Sequence, residues 1–307
     1  MGKATRTNLR NGLLFILPWI LGFVIFTIYP ICASIYYSLC GYDGIAAPHF
    51  VGLYNYKTLL MDDPIFRKAL WNTLYMIAIG LPITLFVSLA LAFLLNLPIR
   101  GMSFYRTLYY LPSITPVVAT SALWMWLLNP QVGLINDVLR HFSDFMRFMH
   151  LPGLDTPGWL IDPVYAKPAL ILMGLWGAGG GMIIYLAGLQ DVPVQLYEAA
   201  ELDGATSWQR LVNVTLPSLS PIILFNVVIG LIGSFQYFTQ VYVMTNGGPQ
   251  DATRFYALYL FENAFVNFKM GYASAMAWIL FLLTLVVTLI VFKTSVRWVY
   301  YPEGEGE

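Results

Sequence analysis

Charge is what this sequence has least of. Of its 307 residues only 10% are Asp, Glu, Lys or Arg, where ordinary soluble domains carry about 25%. The shortage is concentrated in six stretches, about 13 to 37, 72 to 95, 108 to 128, 169 to 189, 221 to 244 and 271 to 292, that hold no such residue at all. Each has roughly the 20 apolar residues that a helix needs to cross a bilayer. A soluble fold is excluded, and the chain reads as an all-α integral membrane protein with six transmembrane helices. Cysteine is nearly absent: Cys32 lies within the first stretch and Cys40 just beyond it. Two such residues make no disulfide framework and read as buried apolar thiols. His49, His141 and His150 are scattered between the apolar stretches with no second ligand at zinc-like spacing, so no metal site is expected.

Other absences narrow the function. No Gly-x4-Gly-Lys-Ser/Thr phosphate loop occurs, so the chain does not bind and hydrolyse ATP in the P-loop manner, and any ATP-driven role needs a partner. No nucleophile, base and orienting group converge, which argues against an enzyme. The spans also hold no carboxylate of the kind that an ion-coupled carrier uses to move a proton or sodium.

Orientation rests on the first span. Lys3, Arg6 and Arg10 precede it and no basic residue follows until Lys57, which places the N-terminus in the cytoplasm by the positive-inside rule. Six spans return the C-terminus to that side. The basic residues of the whole chain divide eight and eight between the two sides and decide nothing. The outer loops run to about 26 to 40 residues, and long loops cross largely regardless of charge. The apolar run after Arg10 is too long, and lacks a convincing small-residue site, for a cleaved signal peptide.

Between the fourth and fifth spans the chain reads EAAELDGATSWQRLVNVTLP, Glu198 to Pro217. Pro193 suits the first turn of a helix and Gly204 a helix C-terminus that needs positive φ, so residues 193 to 203 are expected to form one short helix. Glu198 and Glu201 share a face of it. The i+4 positions, Leu202 and Ala205, offer them no cation, which leaves water or another protein as their partner. Leu196, Tyr197, Ala199, Ala200 and Leu202 make the same segment too apolar to stay bare on a cytoplasmic loop. A groove on a second subunit satisfies both faces.

The spacing of Glu198-Ala199-Ala200, Gly204, Val214 and Leu216-Pro217 resembles the EAA-x3-G-x9-I-x-L-P signature of ABC importer permeases, with Val in place of Ile. LPWILGFVIFTIYP (Leu17 to Pro30), VGLYNY (Val51 to Tyr56) and the closing MTNGGPQDATRFYALYLFENAFVNFKMGYASAMA (Met244 to Ala277) are similar to carbohydrate-uptake permeases of the maltose, lactose or glycerol-3-phosphate type. The resemblance covers nearly the whole chain. It implies the type I ABC importer permease fold: a single transmembrane permease domain over 1–307, with a cytoplasmic coupling loop at 190–220 within it. It further implies that Glu198, Ala199, Ala200, Asp203, Gly204, Leu216 and Pro217 couple to an ATPase. The partners implied are a second permease subunit, two ATPase subunits and an external solute-binding protein in the cytoplasmic membrane. ATP and Mg are then used by the ATPase, and this chain binds no cofactor of its own. The alternative from another class is an ATP-independent secondary carrier or channel, which leaves the signature loop unexplained.

A solute path is sought among intramembrane polar residues, which are costly in lipid and turn inward. Asn226, Gly230, Gly233, Tyr237 and Gln240 recur at i, i+4, i+7, i+11 and i+14, one stripe of a helix, with Gln236 beside it. Gln236, Tyr237 and Gln240 are expected to line the path. For Asn226, lining and hydrogen bonding between helices stay equally open. In the fourth span Gly177 and Gly181 form a small-xxx-small pair, better suited to packing than to gating. Neutral amides and rings suit a polyhydroxylated solute such as a sugar. Outside the spans, residues 50 to 72, with a helix start at Asp63-Pro64, read as an interfacial helix leading into the second span. Leu134 to Met149 carries apolar residues at helical spacing and reads as an amphipathic surface helix. Trp159 and Tyr165 suit the headgroup region.

Overall fold

Proline decides where the long helices loosen. The ring of Pro30, Pro82 or Pro217 removes an N–H and crowds the carbonyl four residues earlier, at Phe26, Ala78 or Asn213. Each of those carbonyls lies in a wide π turn, Val24–Ile28, Met76–Gly80 or Leu211–Thr215, within an otherwise continuous helix. The computed structural model describes residues 3–153 and 155–300; the side chains of residues 3–7, 9 and 10 are outside the described residues. The expectation built on the side chains of Lys3, Arg6 and Arg10 therefore falls outside them, as does the tail 301–307.

Among the described residues four helices are long and apolar enough to cross a membrane: Asn11–Ser38, Pro64–Leu95, Ser207–Phe235 and Met270–Ser295. Pro163–Trp176 and Gly179–Asp191, bent by 47° at Gly177-Ala178, make a fifth if counted as one span. The expected span at 108 to 128 is not one helix. Pro112 and Pro116 break it, Thr115 is extended ahead of Pro116, and only Val117–Leu127 remains as a short apolar helix. The fifth expected span also differs. It starts earlier, at Ser207, stops at Phe235, and resumes as a separate helix, Thr239–Met244.

The chain divides into two units. In the first, residues up to Asp63 join Leu260–Phe281. The most apolar window of Asn11–Ser38 buries nothing within the protein, as befits a helix whose sides face lipid, and Cys32 is exposed there while Cys40 is buried. The thiol expectation thus holds for Cys40 alone. Trp278 Nε1 donates to Ser34 Oγ at 3.1 Å, and Asn55 Nδ2 donates to the carbonyls of Ser38 and Cys40, both at 2.9 Å. A two-residue antiparallel pairing of Cys40–Gly41 with His49–Phe50 closes the intervening loop. Gly271 is required where it stands, because a Cβ would come within 2.1 Å of the Cys40 carbonyl oxygen.

In the second unit, Pro64–Tyr259 with residues from 282 onward, the core forms two clusters. One holds Ala92, Leu95, Met182, Tyr185, Leu186, Leu189 and Leu219, where the ends of three long helices meet. Arg106 donates twice to the Leu95 carbonyl there, a cation at a helix C-terminus. The other holds Met76, Trp124, Leu128, Leu170, Met173, Val241, Met244, Phe255 and Leu258, drawn from two of the long helices and from shorter segments beside them. Pro64 starts its helix as expected, but residues 64–95 form one continuous rod rather than an interfacial helix followed by a span. The amphipathic helix appears as Leu134–Phe148. Trp159 packs, half-buried, against the second cluster, its indole N–H on Asn136 Oδ1 at 2.7 Å.

Candidate functional site

The loop that joins Gly179–Asp191 to Ser207–Phe235 is built from local signals. Val192 and Pro193 are extended, so Pro193 precedes the short helix Val194–Leu202 as its N-cap and does not form its first turn. At the other end Gly204 has φ +74°. The Gly204 amide donates to the Glu201 carbonyl at 3.0 Å and the Ala205 amide to Ala200 at 2.9 Å, the two bonds of a Schellman cap. Two residues on, Thr206 opens the long helix with a capping box. Its Oγ1 accepts from Gln209 N at 3.3 Å while Gln209 Oε1 accepts from Thr206 N at 2.8 Å.

None of Val194–Leu202 is buried. Leu202 is 90% exposed and Trp208 71%, with Val194 and Leu196 also bare. Glu198, Ala199, Asp203 and Gly204 are exposed and Ala200 is half-buried, while Leu216 and Pro217 are half-buried where the long helix enters the unit. The two glutamates part company. Glu201 forms an ion pair with Arg210, a partner within the chain that the sequence reading did not offer. The i+4 rule missed it because the cation lies nine residues on, across the capped turn. Glu198 has no hydrogen-bond or ion-pair partner among the described residues. Tyr197 Oη meets Thr215 Oγ1 at 3.0 Å, and the Thr215 hydroxyl reaches the Arg210 carbonyl at 3.3 Å.

The stripe expected along the fifth span holds only in part. After Phe235 the backbone leaves the helix, at Gln236 (φ −100°, ψ 18°) and Phe238 (φ −131°, ψ −62°). Tyr237 and Gln240 therefore do not continue the line of Asn226, Gly230 and Gly233. Tyr237 nevertheless joins Gly230, Gly233 and Ser234 around a cavity of about 230 Å³, with Met76, Gly80, Leu81, Thr84, Leu170, Ile171 and Gly174 as the rest of its wall. The Tyr237 ring meets Phe255 edge-on at 5.5 Å. Gln236 is exposed and Gln240 half-buried, both outside this cavity. Asn226 is buried. Its amide donates to the Ile222 carbonyl at 3.0 Å, and a Cβ on Gly181 would lie 3.7 Å from its Oδ1 and 3.0 Å from Ser88 Oγ. Asn226 and Gly181 thus serve helix packing. Gly177 ends its helix at the 47° bend, and a Cβ on it would meet only the Gly174 carbonyl oxygen, at 3.5 Å.

A second polar assembly escaped the sequence reading. From Met244 to Phe255 the chain runs through left-handed backbone at Asn246, Gly247, Gln250 and Asp251. Thr245 and Thr253 hydroxyls meet at 2.7 Å, and Arg254 pairs with Asp251. Asn72 Nδ2 donates to the Asp251 and Arg254 carbonyls at 2.8 and 3.0 Å, and Lys167 Nζ donates to Asn72 Oδ1 at 2.9 Å. That Asn72, 182 residues from Arg254, holds this loop was not legible in the sequence. This loop borders a cavity of about 510 Å³ with Met125, Asn129, Leu160 and Ile161.

Comparison with known proteins supplies a family. The model described as "Binding-protein-dependent transport system inner membrane component" matches residues 66–299. The chain is 40% identical over 306 residues to the "Probable ABC transporter permease protein YesP" of Bacillus subtilis (strain 168), covering 99% of this chain and 96% of that protein. It is 33% identical over 306 residues to the "Lactose transport system permease protein LacF" of Rhizobium radiobacter, covering 96% and 99%. Among solved structures the backbone matches a chain of a bacterial ABC transporter involved in the import of the acidic polysaccharide alginate. The TM-score is 0.78 at 24% identity, over 96% of this chain and 99% of that one, a likeness of fold.

Proposed function

This chain belongs to the family of binding-protein-dependent transport system inner membrane components, and from that premise we propose that it is one permease subunit of an ATP-driven importer of a sugar or related polyhydroxylated solute. It works in the cytoplasmic membrane beside a second permease, two copies of an ATPase and an external solute-binding protein. One observation carries the reading. The Schellman-capped helix Val194–Leu202 has no buried residue and stands between two apolar helices, with Glu198 unpaired among the described residues and Leu202 bare. A surface of that kind is completed by a partner, and the family that the chain belongs to provides an ATPase as the partner in kind.

The topology proposed has six passes, the third built from the broken segment at 108–128, and both termini in the cytoplasm, with the whole chain acting as one permease domain. Support comes from the second unit. Leu95, Leu189 and Leu219 cluster at the end where the loop 190–220 emerges. The Tyr300 amide donates to Ser220 Oγ at 2.7 Å, so the chain reaches residue 300 beside that same end.

In the mechanism proposed, ATP and Mg are bound by the ATPase. Closure of the ATPase dimer moves the helix Val194–Leu202, which carries Glu198, Ala199, Ala200, Asp203 and Gly204. The motion enters the long helix through Leu216-Pro217, the helices around Tyr237 part toward the binding protein, and hydrolysis resets them. The lactose system relative supports a sugar as solute. So does the 230 Å³ cavity, whose wall offers the hydroxyl-bearing Thr84, Ser234 and Tyr237 and no charged group. Gln236 and Gln240 are assigned to the path beyond it. The test is reconstitution of the four-protein system in proteoliposomes. Import of radiolabelled oligosaccharide that needs both ATP and binding protein supports the proposal, and import by this chain alone without ATP overturns it.

A further inference from the structure

The short helix Val194–Leu202 is held to the long helix Ser207–Phe235 by two polar side-chain contacts among the described residues, Tyr197 to Thr215 and Glu201 to Arg210. Both land on one place. Thr215 is buried, and its hydroxyl also reaches the Arg210 carbonyl. Arg210 Nη2 lies 3.4 Å from Ser207 Oγ while Nη1 holds Glu201. Arg210 and Thr215 bracket the wide turn Leu211–Thr215 that Pro217 imposes, the point at which the ordinary i to i−4 ladder of the long helix is loosened. A rotation of the short helix is therefore delivered to a loosened turn of the span that it must move.

We infer that Tyr197, Glu201, Arg210 and Thr215 form a brace that fixes the angle between the exposed helix and the membrane span, and that they are positioning residues for coupling. The two glutamates divide the work: Glu198 is left for the partner, and Glu201 is consumed within the chain. The contacts are of a suitable strength. A side-chain hydrogen bond and a part-exposed ion pair together shift an equilibrium by about tenfold, enough to bias a motion without locking it. Shortening the brace leaves the exposed face of the helix, with Glu198 and Leu202, in place.

The inference rests on the docking reading above, and the test separates the two. The complete complex, with ATPase, second permease and binding protein, is reconstituted with Tyr197→Phe combined with Arg210→Ala, and separately with Glu201→Arg, with Arg210→Glu, and with both charges exchanged. Copurification with the ATPase is checked first, and the readout is ATP hydrolysed per solute imported. The brace predicts retained copurification, a ratio raised about tenfold in the broken-brace variants, and a ratio restored to within about twofold of the wild type in the charge exchange. An unchanged ratio overturns the brace alone. So does loss of assembly in the single-charge variants without rescue by the exchange, which marks the contacts as merely structural. Failure of the wild-type chain to copurify overturns the docking reading and the brace with it.

Discussion

The two ends of the helix Ser207–Phe235 are finished in different ways. At its N-terminal end the chain uses contacts that water can replace: a capping box, an ion pair and a hydroxyl pair around an exposed short helix. At its C-terminal end Phe235 is buried, Tyr237 abuts Phe255, and Phe238 stacks on Tyr242 at 5.4 Å. Beyond lies the loop held by Asn72 and the two threonines. The first kind of junction can be turned at small cost, since exposed ion pairs contribute roughly 0 to 1 kcal/mol. The second cannot, because moving it opens packed apolar surface at about 25 cal/mol per Å². In the function proposed above, the first junction suits the input end and the second a formed, walled site.

Substitutions at the two ends should therefore fail differently. The largest effect is expected from Glu198→Lys or Gly204→Val at the input end. The first reverses the charge on the exposed helix that has no partner among the described residues. The second forces a β-branched residue into left-handed backbone at a cost of roughly 1–2 kcal/mol. Both should reduce ATP-dependent uptake to background while membrane insertion, followed by protease protection, is unchanged; normal uptake in either breaks the comparison. Next is Gly188→Leu, where even a Cβ would come within 2.0 Å of Ile222 Cδ1. Overpacking of this sort costs about 1–3 kcal/mol, so the detergent-solubilised protein should melt several degrees lower.

At the other end Tyr237→Ala removes a ring from the cavity wall. It should weaken solute transport by about tenfold, in line with the loss of one buried aromatic contact and its hydroxyl, while binding of the ATPase stays as in the wild type. Uptake kinetics identical to wild type would take Tyr237 off the path and leave the cavity as a packing defect. The smallest effect is expected from Thr206→Ala, which dissolves the capping box at a cost of about 1 kcal/mol. Hydrogen exchange of the amides at 206–209 should rise while those of Thr239–Met244 stay protected, which sharpens the contrast between the two junctions.

The residues that sequence reading located best were those fixed by local chemistry. Gly204 lies at positive φ, Asp63-Pro64 starts a helix, and the amphipathic helix falls within a residue of its expected bounds. Those it misplaced depended on distant groups. Glu201 found a cation nine residues away because the Schellman turn and the capping box reverse the chain between them. The Tyr237 stripe assumed a helix that in fact ends at Phe235, and nothing between Gly233 and Gln240 in the sequence announces the break.

What the sequence settled by itself is what depends on solvent and on neighbours close along the chain. Uncharged apolar runs demand lipid, and the glycine after EAAELD demands a capped end. What the tertiary structure alone decided is which polar group answers which. The pairing of Glu201 with Arg210, the withdrawal of Asn226 into helix packing and the closure of a cavity by Tyr237 all need backbone directions set by many residues at once. A side chain's partner is fixed by where it points, and in this chain that direction is inherited from turns and bends too distributed for any local pattern to record.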